Sequence, residues 1–173
     1  RFNTRVRENV SEEEVRVAEK GNVDDGDLVV VLDGTTYRTP LKTLRGDRRG
    51  QGGDTENNLR QWSKQDFAPA AADVFQERLY AIQWMKRSTL EDARPETYFS
   101  APAAEDLERE QLVAKYVEEH LSDWQSEGLI PDSAIESGAK TDEPIRTRGW
   151  THWHHLFAPR QLVVAALLGT YSR

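Results

Sequence analysis

The apolar segment at residues 158–168 places the strongest constraint on how this chain can fold. It reads Ala-Pro-Arg-Gln-Leu-Val-Val-Ala-Ala-Leu-Leu, and Pro159 suits the first turn of a helix because proline has no amide hydrogen to leave unpaired. From residue 162 to residue 168 no polar residue interrupts the pattern, so the predicted helix is apolar nearly all round. We therefore expect the chain to end in a helix that is buried against several neighbours.

Composition excludes several classes of protein. A chain of 173 residues suits one domain, or one domain with a small appendage, and is long enough to build a core without covalent cross-links. The absence of cysteine excludes disulfides, a cysteine zinc site and a thiol nucleophile. The apolar runs are far shorter than the roughly 20 residues of a membrane span, and the charged N-terminus does not resemble a signal peptide. We predict a cytoplasmic protein without a membrane partner.

Arginine strongly outnumbers lysine among the cationic residues. The net charge is −7, and 17 of the 23 cationic residues are arginine. Few lysines and many carboxylates suit a salt-rich cytoplasm of halophile type, although an ordinary acidic bacterial surface explains the same composition. An acidic chain is not an obvious nucleic-acid binder, so any contact with nucleic acid would depend on local arginines more than on total charge.

The first third of the chain predicts a small β-hairpin unit. Ser11 followed by three glutamates favours a short helix. Residues 28–32 are rich in β-branched side chains, Asp33-Gly34 is a strong hairpin-turn signal, and residues 35–38 form the returning strand. Residues 44–53 contain four glycines and predict a mobile loop. We place a domain boundary there, between a hairpin subdomain at residues 1–53 and a mixed α/β segment at residues 54–173.

The second unit predicts helices and strands in mixed order. We expect a short helix from residue 55 to Trp62, a buried strand at residues 79–85 and a short strand at residues 98–99. A long amphipathic helix should follow Pro102 and end at Gly128. One helical turn is expected at residues 132–136, a loop at 138–149, and then the apolar helix. The predicted fold class is α+β or α/β, a small mixed domain with a β-hairpin appendage.

The search for catalytic motifs finds none. The chain lacks a phosphate-binding loop, a dinucleotide-binding glycine motif and a nucleophile elbow. His152 and His154, with His155 beside them, are spaced like a metal-binding pair if that stretch is extended, and His120 or a distant carboxylate would have to supply a third ligand. Ordinary polar-aromatic packing is the favoured interpretation, so we predict no catalytic residue and no metal in this chain.

Two regions are candidate anion or nucleic-acid sites. In the aromatic block before the last helix, Trp150, Trp153 and Phe157 either pack under the helix as an anchor or face a substrate, and the anchor is favoured. In the substrate-facing interpretation, Arg160 and Gln161 in the first helical turn suit a phosphate. The arginines of the glycine-rich loop either follow a phosphate backbone or belong to a solvated linker, which is favoured. These arginines are Arg45, Arg48 and Arg49.

The pattern Trp-x-x-Leu-Phe-x-Pro-Arg-Gln-Leu at residues 153–162 resembles a block found in a family of large adenine-specific DNA methylases with an N-terminal domain of unknown function. The stretches at residues 77–82 and 98–107 are similar to that family in spacing, and the likeness covers about residues 70–170. In the family, this region lies between the glycine motif that binds the cofactor and the Asp-Pro-Pro-Tyr-type catalytic motif. Neither motif is present here.

The resemblance implies that this chain is a middle, non-catalytic segment of a longer methylase, expected to shape or cover the DNA-binding cleft. Arg160 and Gln161 would touch the substrate or orient the catalytic motif. S-adenosylmethionine is expected for the full-length parent but not for this segment, and the expected partners are DNA and the remaining domains. Relatives can carry a cysteine metal ribbon where residues 29–38 form the hairpin, which here must stand without zinc. The alternative is a non-enzymatic interaction or scaffold module whose acidic helix at residues 103–125 faces a protein partner.

Overall fold

A computed structural model describes residue 7, residues 9–53 and residues 55–172. The described α-helices are α1 (Glu12–Lys20), α2 (Leu41–Leu44), α3 (Ala104–Ser126), α4 (Asp142–Arg148) and α5 (Pro159–Tyr171). The described strands are β1 (Val23–Asp24), β2 (Asp27–Leu32), β3 (Thr35–Pro40), β4 (Asp47–Arg49), β5 (Thr55–Asn57), β6 (Ile82–Met85) and β7 (Thr97–Ser100). Two short 3-10 helices cover Arg87–Thr89 and Trp153–Leu156.

The fold is mixed α+β. Its strands form three separate sheets, and every pairing between the named strands is antiparallel. A doubly wound α/β fold requires parallel strands joined by helical crossovers. The α+β form of the predicted fold class is therefore confirmed, and the α/β form does not apply to the described strands.

The N-terminal helix and hairpin form as predicted. The Ser11 hydroxyl accepts a hydrogen bond from the Glu14 amide, and the Glu14 carboxylate accepts one from the Ser11 amide, which closes a capping box at the start of α1. Asp33 and Gly34 both have positive φ and join β2 to β3 through a tight turn. The sequence did not predict β1, which pairs with β2 as a third strand.

The glycine-rich segment is structured, so the prediction of a mobile loop is wrong. Residues 41–44 form α2, and β4 then pairs with β5 from Asp47–Asn57 to Arg49–Thr55. The glycines lie mainly in the turn between the two strands, while Asp47 is fixed by a hydrogen bond from Asn57 (2.8 Å) and an ion pair with Arg146 (3.3 Å). The helix predicted from residue 55 is also wrong. The predicted division at residues 53 and 54 falls in this turn and stays a prediction.

β6 and β7 form a further antiparallel pair. The strands predicted at residues 79–85 and 98–99 both exist, although the first is shorter than expected. Trp84 and Met85 are exposed, so the prediction that this strand is buried is wrong. Its aromatic and aliphatic residues satisfy a strand pattern, but no described element packs over both faces of this two-stranded ribbon.

The main core lies between α3 and α5. The long amphipathic helix forms as predicted, and its buried residues Val117, Leu121 and Trp124 recur at helical spacing. They pack against Leu162 and Ala166 of α5 and against Ile130. Val163 is partly buried against the same core, but Val164, Leu167 and Leu168 are exposed, with Leu168 at 65%, so the apolar helix is buried on one side rather than around its whole circumference.

The segment before the last helix differs most from the prediction. Residues 142–148 form α4 where a loop was expected, with acids in the first turn, arginines in the last turn and Gly149 at the end with φ 76°. Among these seven residues Ile145 and Pro144 are the apolar ones and give no apolar periodicity, so only the charge order indicates a helix. The helical turn predicted at residues 132–136 is instead extended, and Ala134 forms an antiparallel bridge with His152.

Candidate functional site

A cavity of about 250 Å³ lies between the segment at residues 58–77 and the end of α4. Its walls include three aromatic rings, of which Trp62 is buried while Phe75 and Trp150 are half-buried. The polar groups that line it are Asn58, Arg60, Asp73, Gln76, Glu77 and Arg148. This combination of flat apolar walls and a few polar groups is typical of a small-molecule binding site.

Backbone contacts hold the two sides of the cavity together. The Trp62 amide donates a hydrogen bond to the carbonyl of Gly149 (2.8 Å), and the Thr151 hydroxyl donates one to the carbonyl of Trp62. Gly149 has positive φ, and a β-carbon there would lie 2.1 Å from the carbonyl oxygen of Arg60. Only glycine allows both a positive φ and this close approach to the backbone of Arg60. Position 149, directly after α4, therefore requires glycine for the two sides of the cavity to meet.

An arginine that lines the cavity forms a hydrogen-bond network with two carboxylates. The Arg60 guanidinium donates to both oxygens of Asp73 (2.8 and 2.7 Å) and to Asp66 (2.7 Å). Asp73 also accepts from the amide of Ala70, and Asp66 accepts from the amide of Ser63. The network therefore ties together the loop between residues 60 and 73, which has no regular secondary structure of its own.

The same contacts keep both carboxylates ionised. The Arg60 hydrogen bonds hold the pKa of Asp73 below its ordinary value. At Asp66, burial alone would raise the pKa, but hydrogen bonds from Arg60 and Ser63 outweigh it and the pKa is lowered. The charge of Arg60 is thus neutralised within the protein, and its pKa lies well above the ordinary value.

Arg148 is in a different electrostatic situation. Its guanidinium carbon lies 4.7 Å from the ring centre of Phe75 and 5.9 Å from that of Trp150. No carboxylate in the described ranges lies within ion-pairing distance of it, and its side chain is exposed. Glu77 likewise has no cation within that distance among the residues that the structure covers. The cavity is therefore lined by a cation, Arg148, and an anion, Glu77, for which the described residues provide no ion-pair partner.

A buried histidine, His155, supports the cavity from behind its Trp62 wall. The two ring centres are 5.1 Å apart. The His155 Nε2 lies 3.1 Å from the carbonyl of Ser63, and its Nδ1 lies 3.1 Å from the amide of Thr151 and 3.2 Å from that of His152. Because a carbonyl only accepts, Nε2 carries the hydrogen and Nδ1 accepts. Burial lowers the pKa of His155 to about 4, so the ring is neutral at pH 7.

His154 is arranged in the same way and is completely buried. Its Nε2 donates to the carbonyl of Asp66 (3.1 Å), and its Nδ1 accepts from the side-chain amide of Gln125 (3.3 Å). Burial also lowers the pKa of His154. Both rings therefore use both nitrogens within the protein, which leaves neither ring a lone pair for a metal ion.

His152 is the third member of this cluster and is half-buried. Its Nδ1 lies 2.9 Å from the Thr151 hydroxyl, whose own hydrogen goes to Trp62, so Nδ1 donates. In the described part of the chain, no group of three or more His, Cys, Asp or Glu side chains is placed to hold a metal ion. The 3-10 helix at Trp153–Leu156 turns His154 inward, so the extended His-x-His geometry does not form.

The predicted anchor is built from other residues than expected. Trp153 and Phe157 are 39% and 43% exposed, and the two histidines between them occupy the interior instead. The prediction that Trp150, Trp153 and Phe157 all pack under α5 is therefore wrong. Histidines can take these places because backbone groups and the side-chain amide of Gln125 satisfy every ring nitrogen of His154 and His155.

The predicted nucleic-acid residues fall into two groups. Trp150 lines the cavity, and Asn58, which also lines it, directly follows β5. The chain thus connects the cavity to the β4–β5 hairpin, which carries Arg48 and Arg49, while Arg45 lies at the end of α2 just before β4. The Asn58 amide donates a hydrogen bond to the carbonyl of Gly46 (3.0 Å). Arg48 and Arg49 are therefore on a paired strand and Arg45 ends a helix, so the three arginines belong to regular secondary structure rather than to an unstructured linker.

The other group lies across α5. Arg160 forms an ion pair with Glu110 (3.0 Å). The Gln161 side chain accepts a hydrogen bond from the Ala158 amide (2.8 Å) and so caps the helix. Arg160 lines a second, open groove of about 700 Å³, and Glu77 borders both the groove and the aromatic cavity. Their contact with DNA stays a prediction.

Sequence reasoning missed Arg60, Trp62, Phe75 and Arg148 as parts of one site. A signal was present, because Arg60-Gln-Trp62 and Arg148-Gly-Trp150 are both Arg-x-Trp triplets. In each triplet the guanidinium carbon lies 5.9 Å from the tryptophan ring centre. The two triplets meet side by side in the fold.

No protein-family model, curated protein or solved structure matches this chain. Among the helices in the described ranges, none combines the length and apolar character that a membrane crossing requires.

Proposed function

We propose that this chain is a DNA-facing, non-catalytic segment of an adenine-specific DNA methylase-like protein of the cytoplasm. The observation that carries the proposal is the adjacency of the aromatic cavity and the Arg160 groove through Glu77. Arg148 and Trp150 line the cavity and Arg160 lines the groove, so we expect a DNA-contacting surface that extends from the β4–β5 hairpin to Arg160. The cofactor chemistry of such a protein would be supplied by other parts of it, with S-adenosylmethionine as the expected methyl donor.

The residue types along this surface support contact with nucleic acid. Arginines attract phosphates, and exposed aromatic rings stack on bases that are not paired. Arg49 has no ion-pair partner in the part of the chain that the structure describes, and Arg45 is exposed in the same segment. Because the chain as a whole is acidic, the proposal requires these local cations to act against a repulsive background.

The test is DNA binding by the folded chain, measured by fluorescence anisotropy with duplex and single-stranded oligonucleotides between about 50 and 200 mM salt. Arg45→Gln and Arg49→Gln should each weaken binding and reduce the salt slope by about 1 if each arginine meets one phosphate. Arg16→Gln is the matched control, because Arg16 is an exposed arginine of α1 that lines neither the cavity nor the groove. Absence of binding at the lowest salt, or equal loss in the control, contradicts the proposal.

A second candidate function is that of a protein-interaction module. The outward face of α5 presents apolar residues at positions i, i+3, i+4 and i+7, and these are between 47% and 87% exposed. They are Val164, Leu167, Leu168 and Tyr171. Acidic residues of α3 lie on the neighbouring helix, so the fitting partner is an apolar protein surface flanked by lysine or arginine. A chain that binds no DNA at low salt would favour this candidate.

A further inference from the structure

We propose that the cavity between Trp62, Phe75 and Trp150 binds one unstacked nucleotide whose base carries an amino group, with its phosphate on Arg148. The inference rests on the proposed function and names the ligand of its central cavity. The shared chemistry is a nucleobase with an attached phosphate, supplied by a free nucleotide or by an unpaired strand.

The size of the cavity limits the ligand to one ring system. Its volume of about 250 Å³ is smaller than the roughly 300–1,000 Å³ of pockets that hold drug-sized molecules. A peptide segment or a stack of several bases would not fit inside it. The half-buried rings of Phe75 and Trp150 offer flat faces to a planar ligand, while the edge-on contact of Trp62 with Trp150 (ring centres 6.3 Å apart) closes the far side.

The Arg148 guanidinium lies on the aromatic rings on which a base would stack. The guanidinium covers Phe75 and Trp150, but no described carboxylate holds it, and it is exposed. Stacking of an exposed guanidinium on an aromatic ring is weaker than stacking of a base on the same ring. A base can therefore displace the guanidinium, which then meets the phosphate at the mouth of the cavity. The same contact disfavours a cationic ligand, because Arg148 already fills the cation position.

The polar lining selects among bases. Gln76 donates both hydrogens of its side-chain amide to the carbonyls of Ala70 and Asp73 (2.8 and 2.9 Å), so only its oxygen is left, as an acceptor. Glu77 adds a carboxylate that no described cation neutralises. Two acceptors at the cavity match the amino groups of adenine, cytosine or guanine and do not match thymine, which has none.

The experiment is calorimetric titration of the folded chain with nucleoside 5′-monophosphates. Adenosine and cytidine monophosphates should bind roughly tenfold more tightly than thymidine monophosphate, because thymine has no amino group to donate to the Gln76 oxygen or the Glu77 carboxylate. Deoxyadenosine without phosphate should bind roughly tenfold more weakly than its monophosphate, and inorganic phosphate alone should not bind. Equal affinity for all bases overturns the selectivity, and no binding of any monophosphate overturns the site.

Variants separate this inference from the proposed function. Arg148→Gln should lose the preference for the phosphorylated ligand, and Trp150→Phe should retain binding that Trp150→Ala loses. Arg148 makes no described ion pair, so its replacement keeps the protein folded, which circular dichroism checks. Arg49→Gln should weaken DNA binding and leave mononucleotide binding unchanged. Unaltered mononucleotide affinity in Arg148→Gln overturns the inference even if DNA still binds.

Competition distinguishes the two sources of the nucleotide. A single-stranded oligonucleotide that displaces bound adenosine monophosphate, while a duplex does not, indicates that the cavity takes a base from an unpaired strand. A mononucleotide that stays bound in the presence of both indicates a free nucleotide as the ligand. Both outcomes support a nucleotide site, and the second one counts against a DNA-facing role for the cavity.

Discussion

Gly149 lies directly against the backbone of Arg60, and this contact joins two stretches of chain that are far apart in sequence. A β-carbon at Gly149 would fall 2.1 Å from the carbonyl oxygen of Arg60, well inside any permitted contact. Trp62 lies two residues after Arg60 and Trp150 one residue after Gly149, and the two rings meet edge to face. The close backbone approach therefore places both tryptophans, and the arginines that precede them, around one cavity.

The first prediction concerns this approach. Gly149→Ala should destabilise the protein by about 2–4 kcal/mol, because it adds a collision with backbone to the strain of a positive φ. Chemical denaturation measures the loss. Gly34→Ala is the control, since Gly34 has the same φ of 76° and no atom within 4 Å of its added β-carbon. It should cost about 1 kcal/mol, and equal losses in the two variants would refute the role of the contact.

The second prediction concerns stability between pH 6.5 and pH 4. The pKa of His155 is about 4 in the folded protein and about 6.5 in an unfolded chain, so the unfolded state binds the proton first as the pH falls. The contribution of neutral His155 to the free energy of unfolding is fully present above pH 6.5. It should fall by about 3 kcal/mol as the pH drops to 4. His154, whose pKa is also lowered by burial, adds to the same slope.

His155→Gln tests this slope. Glutamine keeps a donor and an acceptor but does not titrate, so the variant should lose less stability between pH 6.5 and pH 4 than the original protein loses. Urea denaturation at several pH values gives both slopes. If the two proteins show parallel slopes, His155 does not control the response to acid.

The third prediction concerns stronger acid. Asp73 has a lowered pKa in the folded protein, so its contribution is complete above its unfolded pKa of about 3.9 and is lost as the pH falls further. Asp73→Asn should be about 1–3 kcal/mol less stable at pH 7 and should depend less on pH below about 4. Asp92→Asn is the control, because Asp92 is an exposed acid with no described ion pair. Its stability curve should follow that of the unmodified protein.

The fourth prediction separates the two roles of Arg160. Its ion pair with Glu110 is solvent-exposed, so a double-mutant cycle with Arg160→Gln and Glu110→Gln should give a coupling of only about 0.2–1 kcal/mol. If Arg160 also meets a phosphate, Arg160→Gln weakens DNA binding while Glu110→Gln leaves it equal or stronger. Wild-type DNA affinity in a stable Arg160→Gln protein would remove this residue from the proposed surface.

The fifth prediction compares the two faces of α5. Leu162 is 1% exposed in the main core, whereas Leu168 is 65% exposed one and a half turns away. Leu162→Ala should cost about 3–5 kcal/mol, and Leu168→Ala less than about 0.5 kcal/mol. A large loss in Leu168→Ala would show that this face is covered in solution, which would favour the interaction module over the DNA-facing segment.

Helix starts and tight turns were predictable, because they depend on residues that are close together in the sequence. Ser11 and Glu14 start α1, Asp33 and Gly34 turn the hairpin, and Pro159 starts α5, because capping and turn geometry depend on residues only a few positions apart. The α4 helix was missed because its seven residues have charge order but no apolar face. The β4–β5 hairpin was missed because four glycines are equally typical of a loop and of a tight turn.

The sequence by itself determined that the fold is mixed, that α3 is amphipathic and that cysteine chemistry is absent, while the antiparallel strand pairing in the structure decided for α+β over α/β. Only the tertiary structure decided that His154 and His155 are interior residues, that Arg60 is neutralised and that Arg148 is not. These outcomes depend on partners such as Trp62 and Thr151, which are 89 positions apart in the chain. Burial and charge pairing at that separation follow from how the whole chain packs, and no local pattern of residue types encodes them.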